Sequence, residues 1–268
     1  MPSNKTIQKI SKAKFRSLNL WNRNLAILHF VQAVAIVLLS NQVTFPVTSS
    51  YLTIDSLASK AGHPVLVAAS RHSFDINLAY LVAAFFVISA LAHLIIATVY
   101  RKHYEADLKR GINKARWIEY ALSASLMMVG IGLLAGVQDA ASLAMIFALI
   151  AIMNLLGLVM EVHNQTTAGT NWLSYWLGCL AGIGPWLVIA GYLAATNIYG
   201  SGRIPTFVYW IFGSMFVLFC SFAVNMYLQY RAKGRWADYL YGERVYMILS
   251  LVAKSVLAWQ VFFGSLRP

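Results

Sequence analysis

The sequence predicts an all-α integral membrane protein, built as a bundle of seven transmembrane helices. Its 268 residues are 59% hydrophobic and only 11% charged, with a mean hydropathy of +0.64. Seven apolar segments are long enough to cross a bilayer, since a spanning helix needs about 20 residues. Because lipid offers no partner to open backbone N–H and C=O groups, these segments are expected to be helices packed together. Seven spans use most of the chain, so we expect a single domain over residues 1–268.

The predicted spans follow one another through short connections, except after the first. The joint at 136–139 is so short that the third and fourth spans are expected to be antiparallel neighbours. Residues 42–73 are rich in Ser, Thr and Pro and alternate like a strand near 51–54, which predicts an ordered extramembrane loop, consistent with a short β-hairpin. The spans are Asn24–Asn41, Phe74–Tyr100, Ala115–Val137, Ala140–Val162, Trp172–Thr196, Pro205–Tyr230 and Glu243–Gly264.

The basic residues predict the orientation, because Lys and Arg accumulate on the cytoplasmic side of membrane proteins. With the N-terminus inside, inner segments hold sixteen of the 21 Lys and Arg residues and outer segments hold four. We therefore expect a multi-pass cell-membrane protein with a cytoplasmic N-terminus and an extracellular C-terminus, the reverse of a G-protein-coupled receptor. The net charge of +12 then reflects topology and not nucleic-acid binding. The inner set is Lys5, Lys9, Lys12, Lys14, Arg16, Arg23, Arg101, Lys102, Lys109, Arg110, Lys114, Arg116, Arg231, Lys233, Arg235 and Arg244; the outer set is Lys60, Arg71, Arg203 and Arg267.

Lys254 lies in the middle of the last predicted span. A lysine at the centre of a membrane helix costs roughly 2.5 to 3.5 kcal/mol on insertion scales, so it is expected to be functional and to have a partner. Glu119 is the carboxylate predicted at a similar depth. Two structural alternatives stay open: an ion pair between these residues that only holds helices together, or an interfacial pair of Glu119 with Arg116.

One layer of the bundle is predicted to hold four ionisable side chains from four different helices. At a helical rise of about 1.5 Å per residue, all four lie roughly 10 to 17 Å from the inner boundary. Ser123 and Ser250 lie one turn from members of this layer on the same helix faces, so their hydroxyls are expected to join it. For His29, a simple packing role remains an alternative. The layer consists of His29, His93, Glu119 and Lys254.

Residues within a turn or two of this depth are candidates for the wall of a binding pocket. Aromatic and methionine side chains suit a flat apolar ligand, although each of them can equally serve in packing alone. The candidates are Tyr120, Ser123, Ala124, Met127, Met153, Asn154, Trp176, Phe216 and Phe219.

Two motifs carry a resemblance to a known family. The first is Arg-Trp-Ile-Glu-Tyr at 116–120 in the third span, and the second is Ser-Leu-Val-Ala-Lys-Ser at 250–255 in the seventh. With seven spans, an inner N-terminus and a long first outer loop, the whole chain resembles heliorhodopsins. The resemblance implies all-trans retinal bound to Lys254 as a protonated Schiff base, with Glu119 as its counterion. It also implies a homodimer to which the first outer loop contributes.

The chemistry of these residues agrees with that implication. A lysine amine condenses with an aldehyde, and an apolar pocket excludes the water that would hydrolyse the product. A nearby carboxylate such as Glu119 stabilises the protonated imine. Light would isomerise the polyene and move the imine proton relative to Glu119. His29 and His93 are expected to receive or relay that proton, as the resemblance implies.

Ion pumping is disfavoured. Common microbial rhodopsin pumps place an Asp one turn before the lysine and a second carboxylate about three turns along the third helix, where this chain has Ser250 and Gly130. We expect a light sensor, not an enzyme, that acts on an unidentified cytoplasmic signalling partner. The expected relay residues near the cytoplasmic surface are Arg116, Tyr120, Glu161 and Glu243.

Two other classes stay open as alternatives. A light-gated ion channel or transporter needs a continuous polar stripe, but spans four and five offer only isolated polar groups such as Asn154. A membrane enzyme, or a binder of another small molecule, needs a nucleophile or a metal-ligand set, and no spacing in the sequence supplies one.

Overall fold

Eight α-helices form the bulk of the protein in the computed structural model, which describes residues 10–268. Seven of them are long and apolar enough to cross a membrane, which confirms the predicted seven-helix bundle. Lys5 and Lys9, counted among the inner basic residues, lie outside the described residues. The helices are α1 Lys12–Leu39, α2 Leu78–Ala97, α3 Arg101–Lys109, α4 Lys114–Leu134, α5 Ala140–His163, α6 Leu173–Tyr199, α7 Thr206–Tyr230 and α8 Tyr239–Val261.

The helix ends depart from the predicted spans where polar caps, and not hydropathy, set them. α1 begins at Lys12, well before the predicted Asn24, because the Ser11 hydroxyl accepts a hydrogen bond from the backbone N–H of Lys14 and caps a polar first turn. α2 begins only after the Asn77 cap, since residues 74–77, assigned to the second span, are the end of a strand. Apolar patterns mark the membrane-embedded part of a helix and not its solvated turns.

The short helix α3 was not predicted. It is polar and lies between α2 and α4, at the same end of the bundle as the start of α1. A 3₁₀ turn, Gly234–Ala237, lies at this end between α7 and α8. We call this end, which carries most of the Lys and Arg residues, the basic end. α8 begins here behind its Asp238 cap and finishes at the opposite end in a π-helical turn, Phe262–Leu266.

A β-hairpin joins α1 to α2 at the opposite end, which confirms the predicted ordered loop. Its strands, β1 (Thr44–Ile54) and β2 (Leu66–Asn77), pair antiparallel with an irregularity after Val47. Val47 is fully buried and fixes the base of the hairpin in the core, whereas most of the remaining strand residues are exposed. The hairpin therefore projects from the bundle.

The hairpin is tied to the α4–α5 joint through Asp139. This carboxylate caps α5 by accepting the backbone N–H of Ser142 at 2.9 Å, and it accepts the Ser50 hydroxyl of β1 at 3.0 Å. The hydrogen bonds from Ser142, reinforced by Ser50, hold the pKa of Asp139 below its usual value. The backbone N–H of Thr48 also donates to the Gln138 carbonyl at 2.8 Å.

α4 is the most buried of the seven spans and packs against α2 and α5, while α7 packs on α8. The central core between these helices includes Phe85, Phe86, Met128 and Ile131. α6 packs closely on α5, whereas its backbone stays farther from that of α7 and the two helices meet through side chains such as Trp186 and Phe216. The side chains of the predicted ionisable layer thus come from the best-packed helices, and a gap opens beside them between α6 and α7.

Candidate functional site

Lys254 on α8 and Glu119 on α4 form a buried ion pair. The lysine Nζ lies 3.2 Å from Glu119 Oε1, and the two residues are 3% and 6% exposed. Lys254 also donates to the hydroxyl of Ser250, one turn earlier on α8, at 2.7 Å. The structure therefore brings together Lys254 and Glu119, which the sequence placed at one depth, and Ser250, which it placed one turn from Lys254 on the same helix face.

Two hydroxyls position the carboxylate. The Oε1 atom of Glu119 accepts from Ser123, one turn along α4, at 2.6 Å, and from Ser89 on α2 at 2.6 Å. Sequence reasoning included Ser123 but missed Ser89. The available signal was its place one helical turn before His93, which puts both on one face of α2. With the ammonium on the same oxygen, the charge of Glu119 is held by three groups from three helices.

His29 and His93 lie beside this pair as a stacked couple. Their ring centroids are 5.7 Å apart with planes within 10°, and both residues are buried. His93 Nδ1 lies 2.8 Å from the side-chain oxygen of Asn22, a residue that sequence reasoning did not single out. Within residues 10–268, neither ring nitrogen of His29 has a hydrogen-bond partner. The predicted four-residue layer is thus assembled, and His29 keeps both nitrogens free.

An apolar cavity begins at the Lys254 amine. Its first part, about 40 Å³, adjoins a larger part of about 350 Å³ that extends between α6 and α7. The two parts share Met153, Asn154, Phe219 and Phe222. Residues that line one or both parts include the predicted Tyr120, Ala124, Met127, Met153, Asn154, Phe216, Phe219 and Ser250.

The far wall is built around Trp186 on α6, which the sequence did not single out. Its indole meets Phe212, Phe216 and Phe219 of α7 edge to face, with centroids 5.3 to 5.5 Å apart. Such aromatic edges give a rigid apolar surface that suits a flat ligand.

Two of the predicted wall residues are placed elsewhere. Trp176 is 61% exposed on the outside of α6, whereas its neighbours Tyr175 and Cys179 line the cavity. One residue turns an α-helix by about 100°, so an error of a single position moves a side chain from cavity to lipid. Ser123 is buried but holds Glu119 and does not line the cavity.

Arg116 belongs to a second buried cluster nearer the basic end. Its guanidinium lies between Glu161 of α5 and Glu243 of α8 and donates to both. Asn113 supports them, because its backbone N–H donates to Glu161 at 2.8 Å and its side chain donates to Glu243 at 2.7 Å. The alternative in which Arg116 pairs with Glu119 is therefore wrong. The predicted relay residues Glu161 and Glu243 do meet, across three helices.

The walls of this second cluster are aromatic. The Arg116 guanidinium lies 4.0 Å from the ring centroid of Tyr246 and 4.5 Å from that of Trp117. Tyr120 donates its hydroxyl to the Tyr246 carbonyl at 2.9 Å, and its ring lies 5.2 Å from Lys254 Nζ. Tyr120 thus stands between the two charged clusters.

The family model described as Heliorhodopsin matches residues 18–266. The chain belongs to the heliorhodopsin family. It is accordingly a retinal photoreceptor-type membrane protein. Among solved structures, the light-driven proton pump LR (Mac) from Leptosphaeria maculans has the same fold, with a TM-score of 0.61 over 96% of this chain and 97% of that chain at 16% identity. No curated protein sequence matches the chain.

The residues at Lys254 fit the retinal that this family implies. A buried amine is available for attachment, a carboxylate lies beside it, and the adjoining cavity is lined mainly by apolar and aromatic side chains. Its larger part is within the size range of small-molecule pockets, roughly 300 to 1,000 Å³. The described residues contain no group of three or more His, Cys, Asp or Glu side chains that could hold a metal ion.

Proposed function

We propose that this heliorhodopsin is a light sensor that carries all-trans retinal as a protonated Schiff base on Lys254 and pumps no ion. The observation that supports it is the buried Lys254 amine, 3.2 Å from Glu119 and open to an apolar cavity. Bound there, retinal would supply absorption of visible light and photoisomerisation. The remaining chemistry falls to the side chains of the chain itself.

Glu119 is the proposed counterion. Ser89 and Ser123 both donate to its Oε1 at 2.6 Å, so the negative charge is fixed in place before the cofactor binds. A preorganised charge in a dry site acts strongly because it has little reorganisation to undergo. The apolar side chains beyond Lys254 exclude water, which protects the attachment from hydrolysis.

His29 and His93 are the proposed proton acceptors. A neutral His93 that donates from Nδ1 to Asn22 keeps Nε2 as an acceptor, and His29 has a free ring nitrogen in either tautomer. A proton that leaves the Lys254 nitrogen therefore finds acceptors within the bundle. Ser250 beside that nitrogen is a hydroxyl and not a carboxylate, which supports internal transfer over pumping.

The buried cluster of Arg116, Glu161 and Glu243 is the proposed link to the cytoplasmic surface. It joins α4, α5 and α8, and therefore responds to any shift of α8, which carries Lys254. A change at the basic end is what a cytoplasmic partner would detect.

We also propose a homodimer formed through the hairpin. At the tip of the hairpin, Leu52 is 68% exposed and Leu57 is 97% exposed, so both offer apolar surface to a second copy.

The proposed orientation places the basic end in the cytoplasm. A tag at the C-terminus is then expected to bind antibody on intact cells, whereas a tag at the N-terminus binds it only after permeabilisation. A tag inserted at Gly62, in the exposed connection of the hairpin, serves as a control and should behave like the C-terminal tag. The opposite labelling pattern would contradict the orientation.

An absorption spectrum tests the function directly. Adding all-trans retinal to the purified protein should produce a visible band that hydroxylamine bleaches under illumination. In voltage-clamped cells, light should evoke no current, because the chain lacks the carboxylate positions expected of a pump. A sustained photocurrent would favour the channel or transporter alternative, and the absence of any visible band would overturn the retinal assignment.

A further inference from the structure

A second cavity lies at the basic end, separate from the one at Lys254. It has a volume of about 400 Å³ and lies between the α3–α4 turn, the α5–α6 connection and the α7–α8 connection. Its lining is polar and aromatic, in contrast to the apolar retinal cavity. The lining of this cavity includes Lys109, Arg110, Thr170, Trp236 and Tyr239.

The charge balance around this cavity is positive. Among the described residues, each carboxylate at the basic end has a cationic partner, although Glu161 and Glu243 share the single cation Arg116. No Asp or Glu lines the cavity, whereas Lys109 and Arg110 do. Arg110 is exposed, and its guanidinium has no ion pair or hydrogen bond to any residue in 10–268. The paired groups are Glu161 and Glu243 with Arg116, Asp107 with Lys114, Glu105 with Arg101, and Asp238 with Lys14.

We propose that this cavity binds a phosphate group. The guanidinium of Arg110 offers the fork of donors that phosphate oxygens accept. Lys109 also lines the cavity and adds positive charge at its edge, with its Nζ 5.6 Å from the ring centroid of Phe15. The hydroxyl of Thr170 is a further donor. The cavity is larger than a phosphate alone, and Trp236 gives it an apolar side for the rest of the ligand.

The position of the cavity leaves two sources for the phosphate. It lies at the ends of membrane-spanning helices, where Lys, Arg, Trp and Tyr meet lipid headgroups. An anionic phospholipid could therefore supply the group from the side, and a soluble phosphate ester could supply it from the cytoplasm. In either case the ligand would sit against Tyr239, whose hydroxyl donates to Glu161 at 3.3 Å. It would thus contact the wall of the buried charge cluster.

Two probes test the site on the full chain. In phosphatidylcholine nanodiscs, inorganic phosphate is titrated by calorimetry; in nanodiscs that also contain phosphatidylglycerol, native mass spectrometry counts the anionic lipids retained on the protein. At least one probe should bind at one site per chain. The double variant Lys109→Gln/Arg110→Gln should weaken that binding at least about tenfold, since it removes two charge-assisted contacts.

Matched variants separate a built site from general surface charge. Arg16→Gln/Lys102→Gln removes the same charges from exposed positions at the same end, outside the cavity, and should bind like wild type. Ala237→Trp fills the cavity without changing charge and should weaken binding as the first variant does. If only inorganic phosphate binds, the ligand is a soluble phosphate ester. If only the anionic lipid is retained, the ligand is a lipid headgroup. Binding of neither probe, equal loss in the control, or wild-type binding by Ala237→Trp would overturn the proposal.

Discussion

Membranes that contain Lys254→Ala are expected to stay colourless when the protein is produced with all-trans retinal. The substitution removes the amine that opens onto the apolar cavity, and within the seven spans the described residues offer no other lysine at that depth. The absorption spectrum of the membranes, compared with wild type at equal protein content, measures the effect. A visible band that survives in this variant without added amine would disprove the attachment site.

A control must separate loss of the attachment from loss of the fold. Lys254→Ala leaves Glu119 buried without its cation, and breaking one side of a buried ion pair costs about 3 to 5 kcal/mol. Lys254→Ala/Glu119→Gln removes both charges and should recover much of the thermal stability while remaining colourless. Colour that returns with the stability would show that the single variant merely failed to fold.

Hydropathy and charge were sufficient to predict the seven spans and the layer of ionisable groups, and a strand-like alternation in a segment rich in Ser, Thr and Pro predicted the ordered loop. A lysine far from both ends of a span has a depth that its sequence position determines, so the meeting of Lys254 with Glu119 could be inferred before any packing was known. The helix α3 was missed because it is only nine residues long and mostly polar, so a search for membrane-spanning apolar segments passes over its buried Tyr104 and Leu108.

Depth does not determine which way a side chain faces around its helix. Ser89 and Asn22 reach the site only because of how α2 and α1 rotate against α4, and Trp176 failed as a wall residue for the same reason. The ion-pair partners of a side chain on helices far along the chain cannot be predicted from its sequence neighbours either. Arg116 lies three residues from Glu119 in the sequence, yet its partners are 45 and 127 positions away on α5 and α8.

Glu119→Gln is expected to shift the visible band to longer wavelength. In the ground state the positive charge of the protonated imine is concentrated at its nitrogen, whereas in the excited state it has moved along the polyene. A carboxylate beside the nitrogen therefore stabilises the ground state more than the excited state. Because glutamine keeps the shape and an acceptor for Ser89 and Ser123, the variant removes the charge with little other change.

Glu161→Gln is the matched control for this substitution. The control substitution also neutralises a buried carboxylate. Glu161, however, belongs to the second cluster, where it and Glu243 both pair with Arg116. The band of Glu161→Gln should stay close to that of wild type. A red shift of equal size in both variants would mean that overall charge, and not a neighbouring counterion, sets the colour.

Glu119→Gln is also expected to change the pH at which the visible band disappears. The anion of Glu119 holds the proton on the imine, so the variant should lose its visible band at lower pH than wild type. If the lost interaction is worth about 3 kcal/mol in this buried site, the midpoint moves by about 2 pH units, since one unit corresponds to about 1.4 kcal/mol. Acidified wild type should shift to the red as Glu119 is protonated.

If Glu119→Gln keeps both the wavelength and the pH midpoint of wild type, another group neutralises the imine. The single-counterion site, with Ser250 where pumps carry a second carboxylate, would then be the wrong description.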